Sequence, residues 1–221
     1  SQLLRNLGFS YQKASFLSDH LDEKARKQWL SETWPKVLEA ARRTGGYILF
    51  GDEASFPQWG TLSYTWAKLG TAPTVKTSGK RKGYKIFGLI EYFTGKFFSK
   101  AQTERLTSET YIQFLLEVLA KTRKHLVIVQ DGARYHTSKL LKEFFQLHRS
   151  RITVFQLPSY SPDYNPIEKL WKKIKQYGTH MKYFPTFEDL VGKVDEILID
   201  FKNKNDEVLK LFGFYRNLTS G

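Results

Sequence analysis

Leu157-Pro-Ser-Tyr-Ser-Pro-Asp-Tyr-Asn-Pro-Ile-Glu-Lys-Leu-Trp171 is the stretch on which the fold prediction depends, because it joins a strand to a helix through a short loop. The apolar run Ile152–Leu157 predicts a strand, and the proline- and serine-rich residues 158–162 predict the loop. Asn165-Pro166 predicts a helix start, since asparagine is favoured at the N-cap and proline at the first helical position. We expect this helix to reach about Tyr177.

Two apolar strands earlier in the chain each run into an aspartate. Tyr47–Phe50 leads to Asp52 across one glycine, and His125–Gln130 leads directly to Asp131. Active sites of open α/β sheets gather at the carboxyl ends of strands, so two neighbouring parallel strands would bring these carboxylates side by side. Either aspartate alone would more often be a turn or helix-cap residue, and Asp-Gly is an ordinary turn dipeptide.

Paired carboxylates at this place predict a metal site. Two unit charges about 4 Å apart repel by roughly 4 kcal/mol at an effective dielectric constant near 20, and a divalent cation removes that cost. Mg²⁺ and Mn²⁺ prefer oxygen ligands, and pairs of such ions serve phosphodiester cleavage. Glu53 competes with Asp52, but neighbours in a strand point to opposite faces, so only one of them enters the site.

Glu168 and Trp171 lie on one face of the helix predicted to begin at Asn165. Glu168 comes three residues after Asn165, in the pattern of a capping box, where it would only bond the backbone of the N-cap residue. Trp171 fits a core position better than a base-stacking platform. Spacing alone therefore leaves open whether Glu168 is a third acidic ligand.

The remaining patterns predict an α/β fold with a mixed central sheet flanked by helices. Three early strands, two of them a hairpin, precede alternating helices and strands, and this is the element order of the RNase H-like fold. The other predicted elements are the helices Asp22–Thr44 (broken or kinked at Pro35), Thr107–Thr122, Ser138–His148, one from Thr186 and a short one at Asp206–Phe212, and the hairpin strands Tyr84–Glu91 and Lys96–Ala101.

The composition is strongly basic, with 35 Lys and Arg against 22 Asp and Glu and a net charge of +13. Such an excess favours a polyanionic partner, most simply nucleic acid, over a merely solvated face. The absence of cysteine excludes disulfides and thiolate metal sites. No apolar run is long enough to cross a membrane.

Basic residues cluster in three places that could contact DNA. Residues 76–83 resemble a mobile basic loop, because glycine and serine interrupt the charges. The helix after Asn165 has a basic side, for which a solvated face is the alternative, and the segment after Asp131 adds an arginine and a histidine. The candidates are Lys80, Arg81, Lys82, Arg134, His136, Lys169, Lys172 and Lys173.

Three segments resemble the mariner superfamily of DDE transposases. The Ser-Pro-Asp-x-Asn-Pro-Ile-Glu-x-x-Trp core of residues 157–171 is similar to the signature around that family's third acid. Val129–Ser138 resembles the segment of the second acid, and Phe50–Phe56 the first-acid strand of the bacterial insertion-sequence branch. The resemblance covers residues 46–177, excludes Asp163 as a ligand, and implies a catalytic and metal-binding triad of Asp52, Asp131 and Glu168.

This resemblance implies cut-and-paste transposition. Two Mg²⁺ or Mn²⁺ ions would serve hydrolysis at the transposon's inverted-repeat ends and transfer of the 3′-hydroxyl ends into TA target DNA. It also implies a homodimer on DNA, no membrane partner, and a cytoplasmic, nucleoid-associated location in a bacterium.

The resemblance also predicts the domain organisation. Residues 1–45 would be a helical linker, the tail of a missing helix-turn-helix region that reads the inverted repeats. Residues 46–221 would be the catalytic domain, with a basic insert at about 55–83 that contacts DNA or a partner subunit in some relatives.

Other readings remain open at this point. An inactive or domesticated DNA-binding protein would share the fold and charge. Another RNase H-like nuclease, such as a resolvase or ribonuclease, would explain the acids but not residues 157–171. A basic protein-interaction module would not bind DNA even at low salt.

Overall fold

The computed structural model of the protein describes residues 2–7, 22–62, 65–77, 79–132 and 138–219. Within them the centre is a five-stranded sheet in the order β3-β2-β1-β4-β5. β1 pairs antiparallel with β2 and parallel with β4, so the sheet is mixed, as predicted. The strands are β1 (Tyr47–Pro57), β2 (Gly83–Glu91), β3 (Phe97–Gln102), β4 (Leu126–Gln130) and β5 (Ile152–Gln156).

Helices cover both faces of this sheet, and several begin directly after the residue at which the sequence predicted a helix start. Thr107 and Thr186 each form a capping box with the residue three positions later, and Ser138 accepts a hydrogen bond from the backbone of Leu141. The helices are α1 (Gln2–Asn6), α2 (Glu23–Gln28), α3 (Trp34–Thr44), α4 (Ser108–Lys121), α5 (Lys139–Leu147), α6 (Pro166–Gly178), α7 (Phe187–Lys202), α8 (Asn205–Leu209) and α9 (Gly213–Thr219).

The helix predicted from Asp22 to Thr44 forms with a wide turn in its middle. A π-helical segment, Trp29–Thr33, joins α2 to α3, and Pro35 lies in the first turn of α3. Proline has no backbone N–H to donate to the preceding turn, and a π turn accommodates the missing hydrogen bond. At the predicted break, the structure has a π-helical segment that joins α2 to α3 without interrupting the helix.

The two faces of the sheet carry separate hydrophobic clusters among the described residues. Ile48 and Phe50 of β1 belong to the cluster beneath α3, α6 and α7, whereas Leu49 belongs to the cluster beneath α4 and α5. Because side chains alternate along a strand, Asp52 faces the α6 side and Glu53 the α4 side. Because of this alternation, Asp52 rather than Glu53 lies on the side of the sheet where α6 packs.

The prediction that the first strand stops at Gly51 is wrong. β1 continues to Pro57 because β2 pairs with it along this whole length, with Asp52 opposite Gly88 and Pro57 opposite Gly83. Asp52 is therefore inside a strand. It nevertheless lies just past the parallel pairing with β4, which ends at Phe50 opposite Val129.

The basic insert consequently begins at Gln58 rather than near Ser55, and spans residues 58–82. Its base is fixed to the chain after α6. The Gln58 side chain is buried and donates to the carbonyl of Phe184 at 3.3 Å, and the backbone N–H of Met181 donates to the carbonyl of Thr61 at 2.9 Å. The insert thus leaves the body from an anchored stem.

Among the described residues, no helix combines the length and apolar character needed to cross a lipid bilayer.

Candidate active site

The three predicted acids line one cavity of about 360 Å³. Asp52 comes from the middle of β1, Asp131 follows β4 directly, and Glu168 lies in the first turn of α6. The loop between β5 and α6 forms the rest of the wall. Segments far apart in sequence therefore bring their carboxylates to the same place.

Asp52 is held by neutral donors. The indole Nε1–H of Trp171 donates to its Oδ2 at 3.0 Å, and the backbone N–H of Glu53 also donates to it. Burial, followed by the charges of Glu168, Glu53 and Asp131, raises the pKa of Asp52 to about 8. With no cation present this carboxyl group is largely protonated at neutral pH.

Glu168 reaches solvent at the mouth of the cavity. Partial burial raises its pKa, the positive charge of Lys175 works in the opposite direction, and Asp131 and Glu53 add to the rise. Burial and the neighbouring acids thus both disfavour the charged form of Glu168.

The capping-box alternative for Glu168 is wrong. The backbone N–H of Asn165 donates to the carbonyl of Pro162 at 3.0 Å, so it does not bond Glu168. The Asn165 side chain makes no cap hydrogen bond either; its Nδ2 donates to the carbonyl of Gly51 at 3.0 Å. Asparagine at this position ties α6 to β1 beside Asp52.

Glu53 occupies the other face of β1, where its charge acts on Tyr111 of α4. Burial, followed by the charges of Glu53, Asp131 and Asp52, raises the pKa of Tyr111, whose hydroxyl donates to Gln130 at 2.6 Å. Glu53 does not line the cavity, in agreement with the choice of Asp52 over its neighbour.

The chain just before α6 is held from two sides. Arg26 of α2 makes two hydrogen bonds to Asp163, at 2.9 and 2.6 Å, and lies over the ring of Tyr164. The Tyr215 hydroxyl donates to the carbonyl of Tyr164 at 2.6 Å. Within the loop, Tyr160 adopts a left-handed backbone with φ of 55° and lines the cavity. Asp163 has a structural partner and lies outside the cavity lining, as the resemblance implied.

The candidate DNA contacts have different environments. Lys80, Arg81 and Lys82 are exposed on the insert, and Lys169 and Lys172 are exposed on α6. Lys173 donates to Glu207 at 3.1 Å, so its charge is already paired. Arg134 and His136 lie outside the described residues.

The chemistry of the cavity fits a hard divalent cation. Its carboxylates are oxygen ligands, and burial, together with the charges of neighbouring acids, raises the pKa of Asp52 and of Glu168. Asn165 Oδ1 is buried at the cavity wall with no hydrogen-bond partner among the described residues. In that part of the chain, no three Asp, Glu or His side chains already stand close enough together to hold one ion.

The sequence interpretation placed Trp171 in the core, and it is buried there at 2% exposure. It missed that the same indole donates to Asp52. Glu168 and Trp171 share a helix face, which places Trp171 near the site, but that spacing does not predict a bond to β1. No sequence signal marked the bond from Asn165 to Gly51.

Residues 47–191 match the family model described as "DDE superfamily endonuclease". The Tc3 transposase of Caenorhabditis elegans is 29% identical over 173 residues, which cover 70% of this chain and 50% of that protein. The chain spans about half the length of the curated relatives it matches.

Solved structures share the fold. The Mos1 mariner paired-end complex with Mn superposes with a TM-score of 0.67 at 16% identity, covering 96% of this chain and 67% of that one. The isolated catalytic domain of Mos1 mariner transposase gives a TM-score of 0.57 at 14% identity, covering 89% and 94%. The predicted RNase H-like architecture, a mixed sheet flanked by helices, is confirmed.

Proposed function

Because the chain belongs to the DDE superfamily endonuclease family, we propose that it is the catalytic domain of a cut-and-paste DNA transposase. It hydrolyses phosphodiester bonds at the inverted-repeat ends of a transposon and transfers the 3′-hydroxyl ends into TA target DNA. The observation that carries this proposal is the convergence of Asp52, Asp131 and Glu168 on one cavity of a strongly basic chain.

The three carboxylates hold two Mg²⁺ or Mn²⁺ ions in this proposal. Such ions activate the nucleophile and stabilise the leaving oxygen when bound. The chain's own groups supply the negative charge that draws the ions in, and Lys175 limits the excess charge at Glu168. Water and then a DNA 3′-hydroxyl are the nucleophiles, so no side chain becomes joined to DNA.

The DNA runs over surfaces that border the cavity. Lys169 and Lys172 project from α6 one residue and one turn beyond Glu168, and suit phosphate contacts. Lys80, Arg81 and Lys82 would add contacts from the insert, whose Trp59 and Trp66 are exposed. Arg134 and His136 stay candidates for DNA contacts because of the sequence alone. Lys173 is the weakest candidate, because it already pairs with Glu207.

The assembly is a homodimer on paired transposon ends, and the insert is the segment offered to the partner subunit or to DNA. Its exposed aromatic and basic residues support both contacts. The nucleoid of a bacterium is the location that follows from the sequence resemblance.

The test is nicking and strand transfer on DNA with a pre-exposed 3′-hydroxyl end, with Mn²⁺ or Mg²⁺, for wild type and Glu168→Gln. We expect both reactions in the wild type and neither in the variant, because the amide removes a charged ligand. Glu143→Gln on α5, outside the cavity lining, is the control that keeps activity.

The outcomes separate the alternatives. Equal activity in wild type and Glu168→Gln rejects the role of Glu168. Hydrolysis without strand transfer favours another RNase H-like nuclease. DNA binding without either reaction favours an inactive DNA-binding protein, and no binding at low salt favours a protein-interaction module.

A further inference from the structure

Trp171 and Asp52 meet where α6 packs on β1. The indole Nε1–H donates to Asp52 Oδ2 at 3.0 Å, and Trp171 is 2% exposed. Its ring packs edge-on against Phe97 with centroids 6.0 Å apart. A donor on a ring so enclosed restricts the carboxylate that it bonds to one orientation.

Gly88 provides the space for this ring. It is the direct register partner of Asp52 on β2. A Cβ at Gly88 would lie 2.5 and 2.7 Å from two atoms of the Trp171 ring and 2.9 Å from Ile167. Real Cβ atoms do not approach so closely, so the indole reaches Asp52 only because residue 88 has no side chain.

The donor is suited to a cation-binding carboxylate because it is neutral. A lysine or arginine at this place would fix Asp52 equally well but would neutralise its charge and repel an incoming cation. An indole N–H offers one hydrogen bond and no charge. Its bond goes to Oδ2 and adds no positive charge beside the carboxylate.

We propose that Trp171 is a positioning residue that holds the Asp52 carboxylate toward the cavity for a divalent cation, in the slot left open by Gly88. This inference rests on the proposed metal-dependent function. Hydrogen bonds to metal ligands from outside the coordination sphere typically change metal affinity by about 10–100-fold. We therefore expect Trp171→Phe to weaken Mn²⁺ binding by at least about tenfold.

A matched control exists in the same core. Trp34 is 3% exposed, and its Nε1 is buried without a hydrogen-bond partner among the described residues. Trp34→Phe thus removes the same ring atoms without removing a hydrogen bond. Mn²⁺ affinity, measured calorimetrically without DNA, should be unchanged in Trp34→Phe and reduced in Trp171→Phe.

An Asp52→Ala background separates positioning from general loosening. There Trp171→Phe should cause no further loss of Mn²⁺ affinity, because the bonded carboxylate is gone. An equal loss in both backgrounds, or wild-type affinity in Trp171→Phe, overturns the proposal. If Asp52→Ala binds Mn²⁺ as tightly as wild type, the metal-dependent function itself fails, and the positioning role fails with it.

A second measurement needs no change at Trp171. The chain has five tryptophans, so its indole N–H resonances in a ¹H–¹⁵N spectrum can be assigned individually. Asp52→Asn should shift the Trp171 resonance and leave that of Trp34 in place. An unmoved Trp171 resonance rejects the hydrogen bond, whether or not Trp171→Phe folds.

Discussion

The titration of Asp52 is the most informative property at the scale of single residues. Its pKa is about 8 in the fold and 3.8 as an ordinary aspartate. Between these pH values the metal-free native state holds a proton that the unfolded chain has lost. Stability therefore falls as pH rises through this window, by at most about 1.4 kcal/mol per pH unit for one proton.

Asp52→Asn should remove this contribution. Without metal, we expect the variant to be more stable than wild type at neutral pH, and the difference to vanish as pH falls toward the ordinary value for aspartate. Urea unfolding with a chelator across this range measures it. Asp189→Asn is the control of opposite sign, because hydrogen bonds from Thr186 lower the pKa of Asp189, so its stabilisation disappears in acid. A flat difference for Asp52→Asn would contradict the assignment.

Two glycines should respond oppositely to alanine. Gly88→Ala places a methyl group within 2.5 Å of the Trp171 ring, and we expect a loss of about 1–3 kcal/mol from overpacking. Gly192 lies in α7 with nothing within 4 Å of an added Cβ, so Gly192→Ala should stabilise by about 0.5–1 kcal/mol. Thermal unfolding of both variants measures these changes in stability. Equal effects would mean that the space left by Gly88 does not constrain the Trp171 ring.

At the scale of elements, the joint between α2 and the start of α6 depends on one ion pair. The Arg26 side chain is 13% exposed and makes two hydrogen bonds to Asp163. Asp163→Ala leaves this mostly buried guanidinium with only the longer contact to Glu23, at 3.9 Å, which should cost about 1–2 kcal/mol. The exposed pair Glu39–Arg42 is the comparison, where Glu39→Ala should cost much less because both side chains are exposed. Chemical denaturation measures both, and equal costs would show that burial of Arg26 is unimportant.

The elements that sequence predicted well are those with local signals. Thr107, Ser138 and Thr186 cap their helices through their own side chains, and the buried strand β4 is apolar from Leu126 to Val129. The length of β1 was not predictable in this way. Asp52 and Glu53 look like the end of a strand, and only pairing with β2 keeps them extended.

The same division applies to the site. The acids could be nominated from strand ends and a long signature, because those features are contiguous in sequence. The bonds from Asn165 to Gly51 and from Trp171 to Asp52 span more than a hundred residues. Such bonds depend on how α6 docks, so a pattern within one segment gives no direct sign of them. The catalytic assignment of the three acids stays a prediction until it is measured.

At the scale of the whole molecule, charge should govern DNA affinity. Each lysine that neutralises a phosphate contributes about 0.9 to the slope of log affinity against log salt. Lys172 is exposed on α6, whereas the neighbouring Lys173 is paired with Glu207. Lys172→Gln should therefore lower the slope by about 1, and Lys173→Gln should change it much less. Titrations of DNA at several salt concentrations test this, and equal slopes for the two variants would remove α6 from the DNA path.

The attachment of α6 to β1 connects only two of the three acids that line the cavity. Asn165 and Trp171 bond to β1 from positions on either side of Glu168, so the helix that carries Glu168 is fastened to the strand that carries Asp52. Asp131 lies outside this attachment, because it follows β4, whose ladder with β1 ends before either aspartate is reached. A cation bound by both Asp52 and Asp131 would therefore connect two sides of the cavity that these hydrogen bonds leave unconnected.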